Sequence, residues 1–346
     1  MAEPIQEIIA RYQQAVRGVD AEAVARLVES YKRVYNEIHA KAEALVLEAV
    51  ASKEPLSKAA IRKLDRYVQL QKTMRAELGR YGAVVDDVVG IAQSRGVEQG
   101  AEAAQQLMLD MFPAELRSSI TPVLQRMPKE AVTALVGALQ KESPLASITL
   151  AKWGERTSRI VSERLISGLT RGIGSRKTAR EIMAALDDPL GMPLSKALTI
   201  ARTETNRAFR SATKETYARN PHIVKGWIWG ANINGDPTPC LACWAMHGTK
   251  HPVDEDLADH PNGRCTMLPI TPTFREMGLD VDEPGQTVPT GEQEFGALPE
   301  ARQREIMGET RYQAYRAGKF AFKDLATTRH SDEWGDTIAV AAISNN

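Results

Sequence analysis

Apolar residues recur three and four positions apart over most of the first two thirds of the chain, the spacing of one face of an α-helix. Between Asp20 and Ser52 the series runs Val24, Leu27, Val28, Tyr31, Val34, Tyr35, Ile38, Ala42, Leu45 and Val46. Asp20 is placed as its N-cap and Lys53-Glu54-Pro55 as its stop. Further helices are predicted over 57–80, 84–95, 97–111, 128–141 and 145–169. The phrase from Thr170 to Ser175 reads as a break, after which Ser175 caps a helix to Leu186. Residues 187–192 read as a turn, and Pro193 starts a helix that runs to about Arg219. Such long helices fit either a compact bundle or an elongated arm that docks on a larger assembly. Periodicity does not separate the two.

The pattern changes at Pro221. Trp227 and Trp229 stand two apart within 223–231, the alternation of a half-buried strand, and 264–270 alternates in the same way. Residues 232–239 are turn-rich. The fold class predicted is therefore mostly α, with a long-helix N-terminal region over 1–190 and a small α+β C-terminal module over 193–270. Residues 271–300 hold four Pro, four Gly, seven acids and one Arg, net −6, and read as an extended acidic loop. That loop is either a solvated linker or a strap for a basic partner surface. The 301–346 segment reads as basic, with short helices near 300–307 and 308–317.

Composition narrows the picture. The 346 residues are 43% apolar and 25% charged, which suits a water-soluble chain with a real core. Aromatics are scarce at 5%, so that core rests on aliphatic side chains. Acidic and basic residues balance at 44 each, so net charge argues for neither nucleic acid nor membrane. No apolar run approaches the roughly 18 residues of a membrane span. The first residues lack the basic and apolar regions of a signal peptide, so the expected compartment is a reducing cytoplasm.

The three cysteines all fall within 26 residues, as Cys240-x2-Cys243-x16-His260-x4-Cys265. That spacing is a Cys3His set for one tetrahedral Zn2+, with a Cys-x2-Cys knuckle opposed by a short second arm. Four protein donors leave no open position, so the predicted metal is structural rather than catalytic. An odd cysteine count argues against disulfides. His247 and His251 lie in the intervening loop, and Cys243-x3-His247 is also ligand-like. His260 is favoured because it shares one short arm with Cys265.

Chemistry beyond the metal is thin. The helix from 193 carries six basic and two acidic residues, with Arg202 and Glu204 in the phrase Ala201-Arg202-Thr203-Glu204-Thr205. These two are read as hydrogen-bonding anchors for the neighbouring module, with a phosphate-contacting surface as the alternative. No P-loop, dinucleotide fingerprint, nucleophile elbow or His-Glu-x-x-His is present. Pro239-Cys240-x-x-Cys243 meets half of a nucleobase deaminase pattern, but His222 is not followed by a Glu two residues on. No catalytic residue is assigned, and the chain is expected not to be an enzyme.

The order Ala201-Arg202-Thr203-Glu204-Thr205, Gly226-Trp227-Ile228-Trp229, Cys240-x-x-Cys243, His247-Gly248 and His260-Pro261-Asn262-Gly263-Arg264-Cys265 resembles the phage Mu F-like minor head protein family, over about 155–270. One position departs: the family's arm usually reads His-Pro-Asn-Cys-Arg-Cys, and here Gly263 replaces the first cysteine. If the metal is kept, Cys265 is the ligand of that arm; if it is lost, packing and hydrogen bonds hold the arm. The resemblance implies a tailed-phage virion component, bound to the portal inside the head and made in the host cytoplasm. Capsid or scaffold protein and packaged DNA are further candidate partners. The long N-terminal helices would then be the docking part. Two other classes stay open: a virion-carried nucleotide- or NAD-dependent transferase, and a zinc-bearing DNA-binding module.

Overall fold

A computed structural model describes residues 5–51, 56–142, 145–170, 176–233, 239–276, 278 and 288–342. Seven helices come first: α1 (Ile5–Ala51), α2 (Lys58–Lys63), α3 (Asp65–Asp110), α4 (Ala114–Ile120), α5 (Lys129–Glu142), α6 (Leu145–Thr170) and α7 (Arg176–Ala218). A mixed region follows: β1 (Gly226–Gly230), α8 (Leu241–Met246), β2 (Lys250–His251), β3 (Thr266–Ile270), α9 (Gly291–Ala297), α10 (Glu300–Met307), α11 (Glu309–Arg316), β4 (Ala326–Ser331) and β5 (Gly335–Val340). The mostly α class with a small α+β region is the observed one. No helix among the described residues is long and apolar enough to cross a membrane.

The chain forms two compact units drawn from separated stretches: 1–19, 93–139 and 203–346 in one, 20–92 and 140–202 in the other. The unit boundaries fall inside α1, α3, α5 and α7. The sequence blocks 1–190 and 193–270 group residues differently.

The second unit is helical. Leu27, Tyr31, Val34 and Ile38 of α1, Leu70, Met74 and Val85 of α3, and Val161 and Leu165 of α6 are buried in it. Two expected breaks are absent. Asp20, expected as an N-cap, is a buried residue inside α1. Residues 187–192, expected as a turn, lie within α7 together with Pro189 and Pro193. A proline inside a helix removes the hydrogen bond to the carbonyl four residues back. Here Arg164 donates to the Ala185 carbonyl that Pro189 leaves open, and Tyr31 Oη donates to the Leu190 carbonyl. Tyr35 Oη adds a 2.6 Å hydrogen bond to Asp187. The Arg164 contact answers the gap at Pro189, and the two tyrosines tie the same turn to α1.

The first unit holds a three-stranded antiparallel sheet in the order β2-β1-β3, with Trp227 opposite Pro269, Ile228 opposite Leu268 and Trp229 opposite Met267. Alternation sends Trp227, Trp229 and Met267 into one cluster with Trp244, Phe295 and Phe322. The opposite face, Ile228 and Leu268, packs on Ile8, Ile9, Tyr12, Leu107 and Phe209. The apolar stripe at Ile8, Ile9, Tyr12, Val16 and Val19 is thus one that the sequence reading passed over.

The helices predicted over 84–95 and 97–111 are one helix, α3, that also takes in most of 57–80. Gly96, which stands between the two predicted helices, and Gly100 are contact points against α7. A Cβ on Gly100 would lie 2.4 Å from the Phe209 carbonyl oxygen, and one on Gly96 would lie 3.0 Å from that of Thr205. The missing side chains let two backbones touch.

The acidic 271–300 stretch is corrected at its end, where Thr290 and Gln293 form a reciprocal capping box for α9. Its residues 277 and 279–287 lie outside the described residues, as does Ser175. The short helices near 300 and 309 are present as α10 and α11. Beyond them lies a hairpin that was not foreseen, β4–β5, paired from Ala326↔Val340 to Ser331↔Gly335.

Candidate metal centre

The knuckle begins where α8 begins. Cys240 is the N-cap of α8, in extended conformation, and Cys243 lies in the first turn. That turn brings the two sulfurs to 3.5 Å. The second arm is a tight turn: Gly263 N donates to the His260 carbonyl at 2.8 Å, and Asn262 takes a left-handed φ of 63°. Asparagine tolerates that conformation better than most residues. The turn places His260 Nε2 3.4 Å from Cys243 Sγ.

All four predicted ligands converge. Cys240, Cys243 and His260 form one group, and Cys243, Asp259 and Cys265 form another, the donor atoms of each within 4.8 Å of one another. Cys243 is common to both. The cluster could hold a metal ion: thiolates and an imidazole at about 3.5 Å are spaced like the corners of a small coordination polyhedron.

Asp259 is the member that sequence reading missed. Its side chain is fully buried. Oδ1 accepts the His260 backbone N–H at 2.9 Å, and Oδ2 accepts that of Cys265 at 3.0 Å. Oδ2 also pairs with Arg210 Nη2 at 2.7 Å. Its one sequence signal is adjacency to His260, and an aspartate beside a histidine is common in solvated loops.

Helix α7 holds the arm, with Arg210 and Thr203 among the residues that do so. Arg210 donates to the carbonyls of Gly263 at 2.6 Å and Cys265 at 3.0 Å, and Thr203 Oγ1 accepts the Asn262 N–H at 3.1 Å. Glu204 is buried and accepts from Gln93 Nε2 at 2.9 Å. Farther along, Tyr217 Oη donates to the Met267 carbonyl at 2.8 Å, and from α1 Gln13 Nε2 donates to that of Arg264 at 2.6 Å.

The protonation pattern follows from these contacts. The hydrogen bond to Cys243 and the neighbouring imidazolium hold the Cys240 thiol down at about 4, against its burial. The Cys240 thiolate in turn raises His260 to about 9, with help from the charge of Asp259. The thiolate on Cys240 and burial push Cys243 well up. Cys265 is pulled down by Cys243, but burial and Asp259 outweigh that, so its thiol is raised. These shifts favour a thiolate at Cys240 beside a charged His260, and the thiol forms of Cys243 and Cys265. Binding a divalent ion would release the remaining protons.

His247 lies apart from this set. It is fully buried, and its Nδ1 accepts the Ala231 N–H at 3.0 Å. Burial drops its pKa to about 4, which keeps it neutral. His251 stacks on Trp227 with centroids 4.2 Å apart. It stands between Thr249 Oγ1 at 2.8 Å and Glu255 Oε1 at 2.9 Å. That line has the hydroxyl–imidazole–carboxylate form of a nucleophile relay, yet Thr249 Oγ1 also donates at 2.7 Å to the Met246 carbonyl, which ends α8. A cleft of about 800 Å³ between α3 and α6, lined by Arg75, Asp86, Glu155 and Arg159 among others, contains neither sulfur nor imidazole donors.

The model of the family described as Phage Mu protein F like protein matches residues 159–268. Over this stretch the chain is similar to the Mu F-like family. The Mu F-like region takes in the end of α6, all of α7, β1, α8 and the cysteine–histidine cluster, and stops within β3. Arg210, Asp259 and the candidate ligands therefore all lie inside it. No curated protein and no solved structure gave a significant match to the chain.

Proposed function

We propose that this chain is a minor head protein of a tailed phage that binds the portal during head assembly, with one structural Zn2+ at Cys240, Cys243, His260 and Cys265. One observation carries the reading: the Mu F-like stretch contains four converging soft donors, and the His260–Cys265 arm is tied to one long helix. Three thiolates and a histidine select zinc among common divalent ions. With four protein donors no position is left for substrate, so the ion staples the module rather than activating water. Arg210, Thr203 and Tyr217 transmit that rigidity to α7. A virion location inside the head fits the family, with the long helices as the docking part. The test is to purify the chain with and without the portal protein of the same phage, and to measure co-sedimentation and zinc per chain. One zinc and co-sedimentation are expected. Free chain in every fraction would remove the portal, and a chain without zinc would remove the staple.

A further inference from the structure

We propose that Asp259 is the positioning carboxylate of the metal arm and that Gly263 is the space it occupies, so that only one of these two positions can carry a side chain. The proposal deepens the metal-site reading and rests on it for its binding readout.

The first ground is steric. A Cβ built on Gly263 would lie 2.2 Å from Asp259 Cγ and Oδ2 and 2.3 Å from Oδ1. The φ of Gly263 is not in the left-handed region, so its backbone conformation is open to any residue. What excludes a side chain is the carboxylate. The second ground is hydrogen bonding. The two oxygens of Asp259 grip the backbone N–H groups of both arm ligands, His260 at 2.9 Å and Cys265 at 3.0 Å. A single group thus sets the separation and direction of two ligands five residues apart. The third ground is charge. A buried carboxylate beside thiolates is tolerable because Arg210 answers it at 2.7 Å, and the same guanidinium binds the carbonyls of Gly263 and Cys265. With its oxygens already engaged by N–H donors, Asp259 acts on the ion through His260 and Cys265 rather than as a ligand.

The test is a double-mutant cycle on the full chain with Co2+ as the probe, using Asp259→Asn, Asp259→Ala, Gly263→Ala and the Asp259→Ala/Gly263→Ala pair. Partners of metal ligands typically contribute 10–100-fold to affinity. Asp259→Asn should lower Co2+ affinity by about that factor while keeping the wild-type thiolate–cobalt absorption bands. Gly263→Ala should lose as much, because its methyl displaces the carboxylate. The pair should be no worse than Asp259→Ala alone, since the methyl then meets no carboxylate. Altered cobalt bands in Asp259→Asn would make Asp259 a ligand and overturn the positioning role. Wild-type affinity in Gly263→Ala, or additive losses in the pair, would overturn the shared space. A wild-type chain that binds no cobalt overturns the metal reading instead. The cycle is then read from urea midpoints, where non-additivity upholds the coupling and additivity overturns it.

Discussion

Arg210 Nη2 lies 2.7 Å from Asp259 Oδ2, with the carboxylate fully buried and the guanidinium nearly so. Helix α7 thereby holds the charge at the centre of the metal arm. Removing one partner of a buried pair leaves an uncompensated charge and costs roughly 3–5 kcal/mol. Arg210→Ala should destabilise the chain by about that much in urea unfolding. Arg210→Lys should recover part of it, because lysine keeps the charge but loses the fork that spans three acceptors. A midpoint unchanged in Arg210→Ala would show that the pair contributes nothing.

Metal removal should be felt first around the cluster. Structural zinc in finger peptides contributes about 10–16 kcal/mol to folding. This unit also has a packed core, with Trp227, Trp229 and Trp244 buried beside the knuckle, so chelation should loosen it rather than unfold it. The expected signal is lost near-ultraviolet tryptophan dichroism and new protease cuts between 240 and 265. Cys240→Ser should reproduce both without chelator. Identical dichroism and digestion patterns with and without metal would contradict the staple.

Two glycines of α3 should respond in opposite directions to the same added methyl. Gly100→Ala drives a Cβ to 2.4 Å from the Phe209 carbonyl, and overpacking of this kind costs about 1–3 kcal/mol. Gly79 has nothing within 4 Å of an added Cβ, so Gly79→Ala should stabilise by roughly 0.5–1 kcal/mol through helix propensity. Thermal midpoints of the two variants decide the matter, and the reverse order would refute the contact between α3 and α7.

His247 predicts a pH dependence with a definite sign. Burial lowers its folded pKa to about 4, whereas the unfolded chain titrates near 6.5. Between those values the unfolded state binds more protons, so stability falls as pH drops through the window and is indifferent to this group above about pH 7. The full loss amounts to roughly 3 kcal/mol. His247→Asn, whose Oδ1 stands where Nδ1 accepts the Ala231 N–H, should lack that component. Urea unfolding of both proteins with chelator present, at pH 7 and pH 4.5, measures the difference, and parallel pH profiles would show that His247 does not contribute.

Periodic spacing was enough to reveal most helices, because an apolar stripe is a local property. The Trp227/Trp229 alternation likewise marked β1, and the crowding of every cysteine into one window marked the cluster. Asp259 was not legible: its role depends on Arg210, 49 residues away, and on an absent side chain at position 263. The C-terminal hairpin was hidden for a similar reason. Its strands are largely exposed, with Ile338 the buried exception, and the Ile338 N–H is satisfied at 2.8 Å by the Ala258 carbonyl beside the metal arm.

By itself, then, the sequence determined where apolar faces recur, where alternation switches to strand, and which four donors share a neighbourhood. Tertiary structure decided what the punctuation meant. A glycine costs a helix about 1 kcal/mol and a proline about 3, sums that close packing against Phe209, a new donor to the Ala185 carbonyl and the Tyr31 contact to the same turn can offset. Whether Gly96, Gly100, Pro189 and Pro193 break a helix or sit within one is set by partners far away in the chain, and short-range pattern carries no record of them.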